Sequence, residues 1–239
     1  MKMKIDMAME MDLEDVRIKL SDIKKRGYVK TLRQGPTGIG KTLETLLGVE
    51  ENNISAPDLG RIELKAHREN HTGLITLFTF NKNVWKMKQL EAIRKYGSED
   101  RKGRLGLYYT MGLKSNSAGL FLSVEDTSVS VRSKDGNTIA TWGLEEIKKR
   151  FEEKVETVLL VKASVEERDG VEHFWFNRAR LLSGGVTQSI LKNQFENEQL
   201  LLDLRLHDAG TKARNHGTGF RINPRDFENF YQKVEEVEF

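Results

Sequence analysis

The sequence predicts a mixed α/β fold, of the α+β kind, with elements in the order helix, strands, helix, strands, helix. Three observations lead there. Leu13, Val16, Leu20 and Ile23 recur at helical spacing near the start. Short apolar runs rich in Val, Ile, Leu, Phe and Thr, bounded by Gly, Asn and Asp, fill the middle and the C-terminal third. No regular strand–helix–strand alternation and no internal repeat run through the chain.

Taken in order, 13–26 is an amphipathic helix ended by Gly27. A glycine-rich turn over 35–40 leads into a short helix at 41–47, closed by Gly48, with Thr37 as its expected N-cap. Strands follow at 61–67 and 73–80, then a helix at 86–96 stopped by Gly97. Four short strands read at 105–111, 118–124, 127–133 and 137–142, the last two joined by a hairpin turn at 134–137. Residues 143–155 are helical, and 156–166 and 171–181 form a strand pair around Asp169-Gly170. A helix at 186–197, a strand at 199–207, a polar loop at 208–215 and a strand at 217–222 come next. Pro224 opens a last helix to about 237. The Met-rich residues 1–12 read as a flexible leader, 13–239 as one domain with a soft boundary near 97–104.

Composition narrows the function classes. At 239 residues the chain suffices for one large domain or two lobes. It has 31% charged and 38% hydrophobic residues, and no apolar run approaches the ~20 residues of a membrane span. The N-terminus lacks the apolar core of a signal peptide, so a cytoplasmic location without membrane association is expected. With no cysteine, disulfides and thiolate metal sites are excluded. A net charge of +3 permits nucleic-acid binding, and the placement of the charges has to argue for it.

The most informative stretch is Asp58 followed by Glu63-Leu64-Lys65. Strand alternation puts Glu63 and Lys65 on one face and Ile62 and Leu64 on the other. Pro57 and Gly60 favour a bend that returns Asp58 toward Glu63. Two carboxylates suit Mg²⁺, which prefers oxygen ligands and keeps several waters. A lysine beside a metal-bound water completes the parts that hydrolyse a phosphodiester. Glu44, on the short helix before this strand, is a candidate third carboxylate. A rival pattern lies at 35–42, where Gly35-Pro36-Thr37-Gly38-Ile39-Gly40-Lys41-Thr42 satisfies Walker A letter for letter, and Leu200-Leu201-Leu202-Asp203 resembles a Walker B strand. Context argues against a nucleotide site. The residues before it, Lys30-Thr31-Leu32-Arg33-Gln34, are too polar for a central parallel strand.

Several blocks occur together and in order: 38–42, Glu44, 56–58, 62–65, 74–79 and 216–223. In these the chain resembles the MvaI/BcnI restriction endonucleases, with MvaI the nearer and the mismatch-repair nickase MutH more distant. The resemblance spans roughly 13–237 and is densest at 35–80 and 199–223. It implies a PD-(D/E)xK nuclease core, a mixed sheet flanked by helices, in two lobes that form a DNA-binding cleft. The catalytic lobe would lie mainly in 13–100, the recognition lobe mainly in 101–239, with 199–223 as the recognition region. It implies Mg²⁺-dependent hydrolysis of double-stranded DNA. Asp58, Glu63 and Lys65 match the catalytic residues, Glu44 a helix glutamate near them. Asp58, Glu63 and the Leu64 carbonyl would hold one or two Mg²⁺. It further implies a monomer that nicks one strand at a time at a short site, CCWGG-like. A methyltransferase acting on the same site is expected as a partner in function that is not physically bound.

Basic residues supply the expected DNA contacts. Arg205, His207, Lys212, Arg214, His216 and Arg221 put six basic or imidazole side chains in seventeen residues. Arginine and lysine pair with the guanine O6/N7 edge, so some of these are candidate base readers. His67 and Arg68 follow the catalytic strand and are expected near the scissile phosphate or adjacent bases. The alternatives are a MutH-like nickase, a modification-dependent nuclease, a catalytically inactive DNA-binding module and the P-loop NTPase.

Overall fold

The computed structural model describes residues 13–49 and 57–239, so the expected leader and Ala56 lie outside the described residues. In chain order the elements are α1 (Leu13–Lys25), β1 (Val29–Lys30), α2 (Gly38–Leu47), β2 (Glu63–Arg68), β3 (Ile75–Thr79), α3 (Gln89–Tyr96) and β4 (Ser98–Glu99). Then come β5 (Leu105–Met111), β6 (Leu120–Val124), β7 (Ser128–Ser133), β8 (Thr138–Gly143), α4 (Leu144–Val155), β9 (Thr157–Arg168) and β10 (Val171–Ser183). The chain closes with α5 (Gln188–Glu196), β11 (Leu200–Asp208), β12 (Ala213–Asn215), β13 (Gly219–Ile222), a 3₁₀ turn (Glu228–Phe230) and β14 (Lys233–Val237). The mixed α/β class is the one expected.

Most elements fall where the periodicity put them, and three details differ. Thr37 sits at the N-cap of α2 but makes no side-chain cap bond. The expected loop at 208–215 contains β12, which pairs with β11. The expected last helix is absent. Phe227, Phe230, Tyr231 and Val234 mimic helical spacing, but the first three are buried and Val234 is exposed. The tail instead takes the open edge of β10, with Ala179 opposite Val237 and Ser183 opposite Lys233. An available strand edge overrode a local helical pattern.

The chain forms two compact units, and their division does not fall near 97–104. The first gathers the described residues up to 71 with 153–184 and 231–239, the second 72–152 and 185–230. In the first unit the strands order as β1-β10-β9-β2, with β14 also on β10. β2 runs parallel to β9 and the other pairs are antiparallel, so the sheet is mixed. α1 and α2 cover one face through Val16, Leu20, Ile23, Ile39, Leu43 and Leu47, packed with Leu64, Leu159, Val161 and Phe174. In the second unit the order is β3-β13-β11-β5-β4 with β12 on β11, beside a separate sheet β6-β7-β8. Its core includes Phe220, which stacks on Phe78 at 5.0 Å and meets Trp142 and Phe195 edge-on.

Candidate active site

The local chain around β2 explains how the acidic residues meet. Leu59 and Ile62 exchange backbone bonds of 2.9 and 3.0 Å across Gly60-Arg61. Gly60 takes φ +63°, a left-handed conformation that glycine adopts at little cost. This tight turn folds Asp58 back, and its Oδ2 accepts the Leu64 N–H at 3.1 Å. The bend expected from Pro57 and Gly60 is therefore present, and Asp58 lies beside the start of β2.

Alternation along β2 does the rest. Leu64 turns into the core beneath α1 and α2, while Glu63 and Lys65 share the opposite face. Glu63 is 3% exposed. Its Oε1 accepts a 2.6 Å bond from Lys65 Nζ. Its Oε2 lies 2.7 Å from Lys154 Nζ, at the end of α4. Parallel pairing sets this up: Glu63 is in register with Val158, so the end of the helix preceding β9 arrives beside it. Tyr231 donates its hydroxyl to the Val155 carbonyl at 3.0 Å. Burial first, and then the charge of Glu63, push the Tyr231 hydroxyl well above its usual value.

Asp58 is exposed along one side, yet protein atoms crowd its carboxyl. That desolvation, and then the negative charge of Glu63, raise its pKa above 3.8, against the opposing pull of Lys154, the Leu64 N–H and Lys65. Among the described residues no group of three or more His, Cys, Asp or Glu side chains gathers as for a metal. The donor set here is two carboxylates and the Leu64 carbonyl, all hard oxygens of the kind that hold a hydrated Mg²⁺. The repulsion that Asp58 and Glu63 exert on each other is what a divalent cation would relieve, so the residues fit such an ion.

The other expected residues of this unit separate by face. His67 follows Lys65 on the same side of β2, with its ring 6.1 Å from that of His71. Arg68, expected near the DNA, turns to the opposite side. Its guanidinium bonds Glu172 through two nitrogens at 2.7 and 2.6 Å, reaches the Pro36 and Gly35 carbonyls at 3.1 and 3.0 Å, and lies 5.2 Å from the Phe174 ring. Odd and even positions of a strand cannot serve one face, so Arg68 is an internal clamp. Glu44 is half-buried on α2, the helix that packs on β2 through Leu43 and Leu64.

The Walker-like turn has a structural use. β1 is two residues long and antiparallel to β10, unlike the buried parallel strand of a phosphate loop. α2 opens at Gly38, where an added Cβ would stand 2.1 Å from the Arg33 carbonyl oxygen. The Thr42 hydroxyl donates to the Gly38 carbonyl at 2.7 Å and accepts the Leu32 N–H at 3.0 Å. The glycine serves close packing.

In the second unit one face of β11 carries Asp203, Arg205 and His207 at alternate positions. Buried Asp203 is the hub. Its Oδ2 accepts Arg205 at 2.9 and 2.6 Å and Arg221 at 2.9 Å, and its Oδ1 accepts the Thr110 hydroxyl at 2.6 Å. Burial alone would raise the Asp203 pKa, but Thr110, Arg205 and Arg221 outweigh it and hold it below 3.8. The Arg205 side chain stays 45% exposed and that of Arg221 22%, the latter also donating to the Leu74 carbonyl at 2.9 Å. His207 is buried, its Nδ1 3.1 Å from the Tyr108 hydroxyl and 3.3 Å from His216 Nε2, with the two imidazoles stacked at 5.2 Å. Partial desolvation by neighbouring protein atoms, and then the charges of His207 and Arg214, lower the His216 pKa. Lys212, Arg214 and His216 are exposed. Arg94 of α3 holds their turn by bonding Asp208 at 2.9 Å and the Gly210 carbonyl at 2.8 Å.

Residues 18–231 match the model of the MvaI/BcnI restriction endonuclease family. The chain belongs to that family. Among solved structures, restriction endonuclease MvaI in complex with its cognate DNA is similar at 25% identity, covering 94% of this chain and 97% of that one, with a TM-score of 0.78. MvaI in the absence of DNA is similar in fold at 24% identity, covering 98% and 100%, with a TM-score of 0.54. No curated protein sequence matches the chain. Family membership makes this a site-specific deoxyribonuclease and bears out the resemblance read in the sequence.

In this MvaI/BcnI family member, two residues at the candidate sites were not legible in the sequence. Lys154 lies at the end of the helix expected at 143–155, and its only sequence signal was its place just before a strand, which the structure pairs parallel to β2. Asp203 was legible only as a Walker B-like acid, whereas it organises two arginines.

Proposed function

We propose that the chain is a Mg²⁺-dependent type II restriction endonuclease that hydrolyses double-stranded DNA at a short, nearly symmetric, CCWGG-like site. It acts as a monomer that nicks the strands in turn. A cognate methyltransferase protects the same site without forming a stable complex. The first unit cleaves and the second reads the sequence. The observation that carries this reading is the turn that bonds Asp58 to Leu64 while Lys65 bonds Glu63 on the adjoining strand face.

Asp58, Glu63 and the Leu64 carbonyl would hold one or two ions. When bound, a divalent cation lowers the pKa of its water and stabilises charge on the transferring phosphoryl oxygens. Asp58 Oδ2 already accepts the Leu64 N–H, which fixes the carboxylate and leaves Oδ1 for a ligand. Lys65 Nζ donates to Glu63 Oε1 and orients a water toward the phosphorus while adding positive charge beside the phosphate. Glu44 serves as an auxiliary carboxylate, and His67, on the Lys65 face, reaches the DNA near the cut. Arg68 stays a clamp and is not assigned a DNA contact.

Readout falls to the β11 face. Asp203 holds Arg205 and Arg221 in fixed orientation, which reduces the side-chain entropy lost on pairing with guanine edges. Lys212 and Arg214 contact phosphates, and His207 and His216 present paired imidazole edges beside them. MvaI as solved holds its cognate DNA, which supports duplex DNA as the substrate class.

Digestion of methylated and unmethylated plasmid with Mg²⁺, with EDTA and Asp58→Ala as controls, tests the proposal. Discrete fragments lost in both controls are expected, and their ends give the site. Tight binding without any cleavage would point to an inactive binding module, and a persistent open circle to a nickase.

A further inference from the structure

Glu63 is buried and meets two ammonium groups, and the two contacts differ in kind. Lys65 makes a directed hydrogen bond to Oε1 at 2.6 Å. Lys154 stands 2.7 Å from Oε2, yet that oxygen, shielded from water, takes no well-aligned hydrogen bond. The Lys154 contact is therefore mainly Coulombic, and a stronger charge displaces it more readily than it displaces Lys65. The Lys154 side chain keeps 16% of its surface open. Its backbone does not need to move. Tyr231 pins the adjoining Val155 carbonyl, and the last turn of α4 favours a cation nearby through its helix dipole.

We propose that Lys154 is the resident counter-ion of the cation site. Its ammonium occupies the Glu63 oxygen that a divalent cation takes, and cation binding expels it. The inference rests on the Asp58–Glu63 reading of the site. A lysine and a divalent ion cannot share one carboxylate oxygen at contact distance without strong repulsion. Lys154 thus balances and orients the buried Glu63 carboxylate when no cation is bound. It also sets how tightly the cation is held, which ties loading of the site to removal of one lysine.

Mn²⁺ binding to the DNA-free protein, followed by electron paramagnetic resonance, tests this directly. Lys154→Gln, checked for native circular dichroism, is expected to bind Mn²⁺ about tenfold more tightly or better, the scale of coupling between close charge pairs. Lys154→Arg keeps the charge and is expected to bind no more tightly than the wild type. Unchanged or weaker binding in folded Lys154→Gln would overturn the inference and leave the Asp58–Glu63 reading intact. Asp58→Ala is expected to lose Mn²⁺, and retained wild-type affinity there would overturn the reading itself. A second measurement needs no substitution. Acetylation of the Lys154 amine, mapped by mass spectrometry in the wild-type chain, is expected to speed up when Mn²⁺ saturates the site. An unchanged or slower rate on saturation would also overturn the inference.

Discussion

The ionised Asp58 carboxylate costs the metal-free fold stability, as the direction of its pKa shift implies. Its carboxyl is raised above 3.8 by desolvation and by Glu63, so the folded chain binds that proton more tightly than the unfolded chain does. Stability is then lost as pH rises from 3.8 through the raised value, and at neutral pH the ionised group opposes folding. Asp58→Asn keeps an acceptor for the Leu64 N–H, so it is expected to raise the melting temperature of the metal-free protein at neutral pH. That advantage should vanish below pH 3.8, and calorimetry across pH checks both. Asp203 is the opposite case. Held below 3.8, it contributes stability above that pH, and the contribution is lost as pH falls through its folded-state value. Asp203→Ala strips the partner from two arginines and should cost about 2–3 kcal/mol in urea unfolding, below the fully buried range because Arg205 is half open to water. At this scale the closeness of Asp58, Glu63 and Lys65 was legible in the sequence, because two-residue alternation and a Pro–Gly bend are local. Lys154 and Asp203 stayed hidden, because their roles come from strand neighbours distant in sequence.

Among the elements, the pairing of α2 with β2 depends on Arg68. This arginine joins Glu172 of β10 to the carbonyls of the turn that opens α2. Arg68→Ala is expected to destabilise the protein by about 2–3 kcal/mol, seen as a lower urea midpoint. Arg68→Lys should recover little, since an ammonium cannot reproduce the fork. A full recovery by lysine would contradict the clamp. The turn that Arg68 holds also accounts for the Walker-like letters, which their sequence context already argued against. Gly38 is glycine because of the Arg33 carbonyl beside it, a tertiary reason that a motif does not encode. Helices and strands with strong periodicity were legible nearly to their ends. The tail at 233–237 was not, because its partner is the edge of β10.

For the molecule as a whole, three separated segments build the first unit and two build the second, so a boundary sought in linker composition was bound to miss. The mixed α/β class and the family were still readable, since blocks along most of the chain carry them. The exposed bases of the second unit should govern DNA affinity through counterion release. Lys212→Ala and Arg214→Ala are each expected to lower the slope of log affinity against log salt by about 1, measured by fluorescence anisotropy. Unchanged slopes would remove those residues from the phosphate contacts. The most direct test of the central claim measures binding and cleavage of one labelled duplex carrying the mapped site, by wild type and by Asp58→Ala. Similar affinity is expected, with cleavage by the variant reduced at least about 10²–10³-fold. Cleavage by Asp58→Ala at the wild-type rate would contradict it.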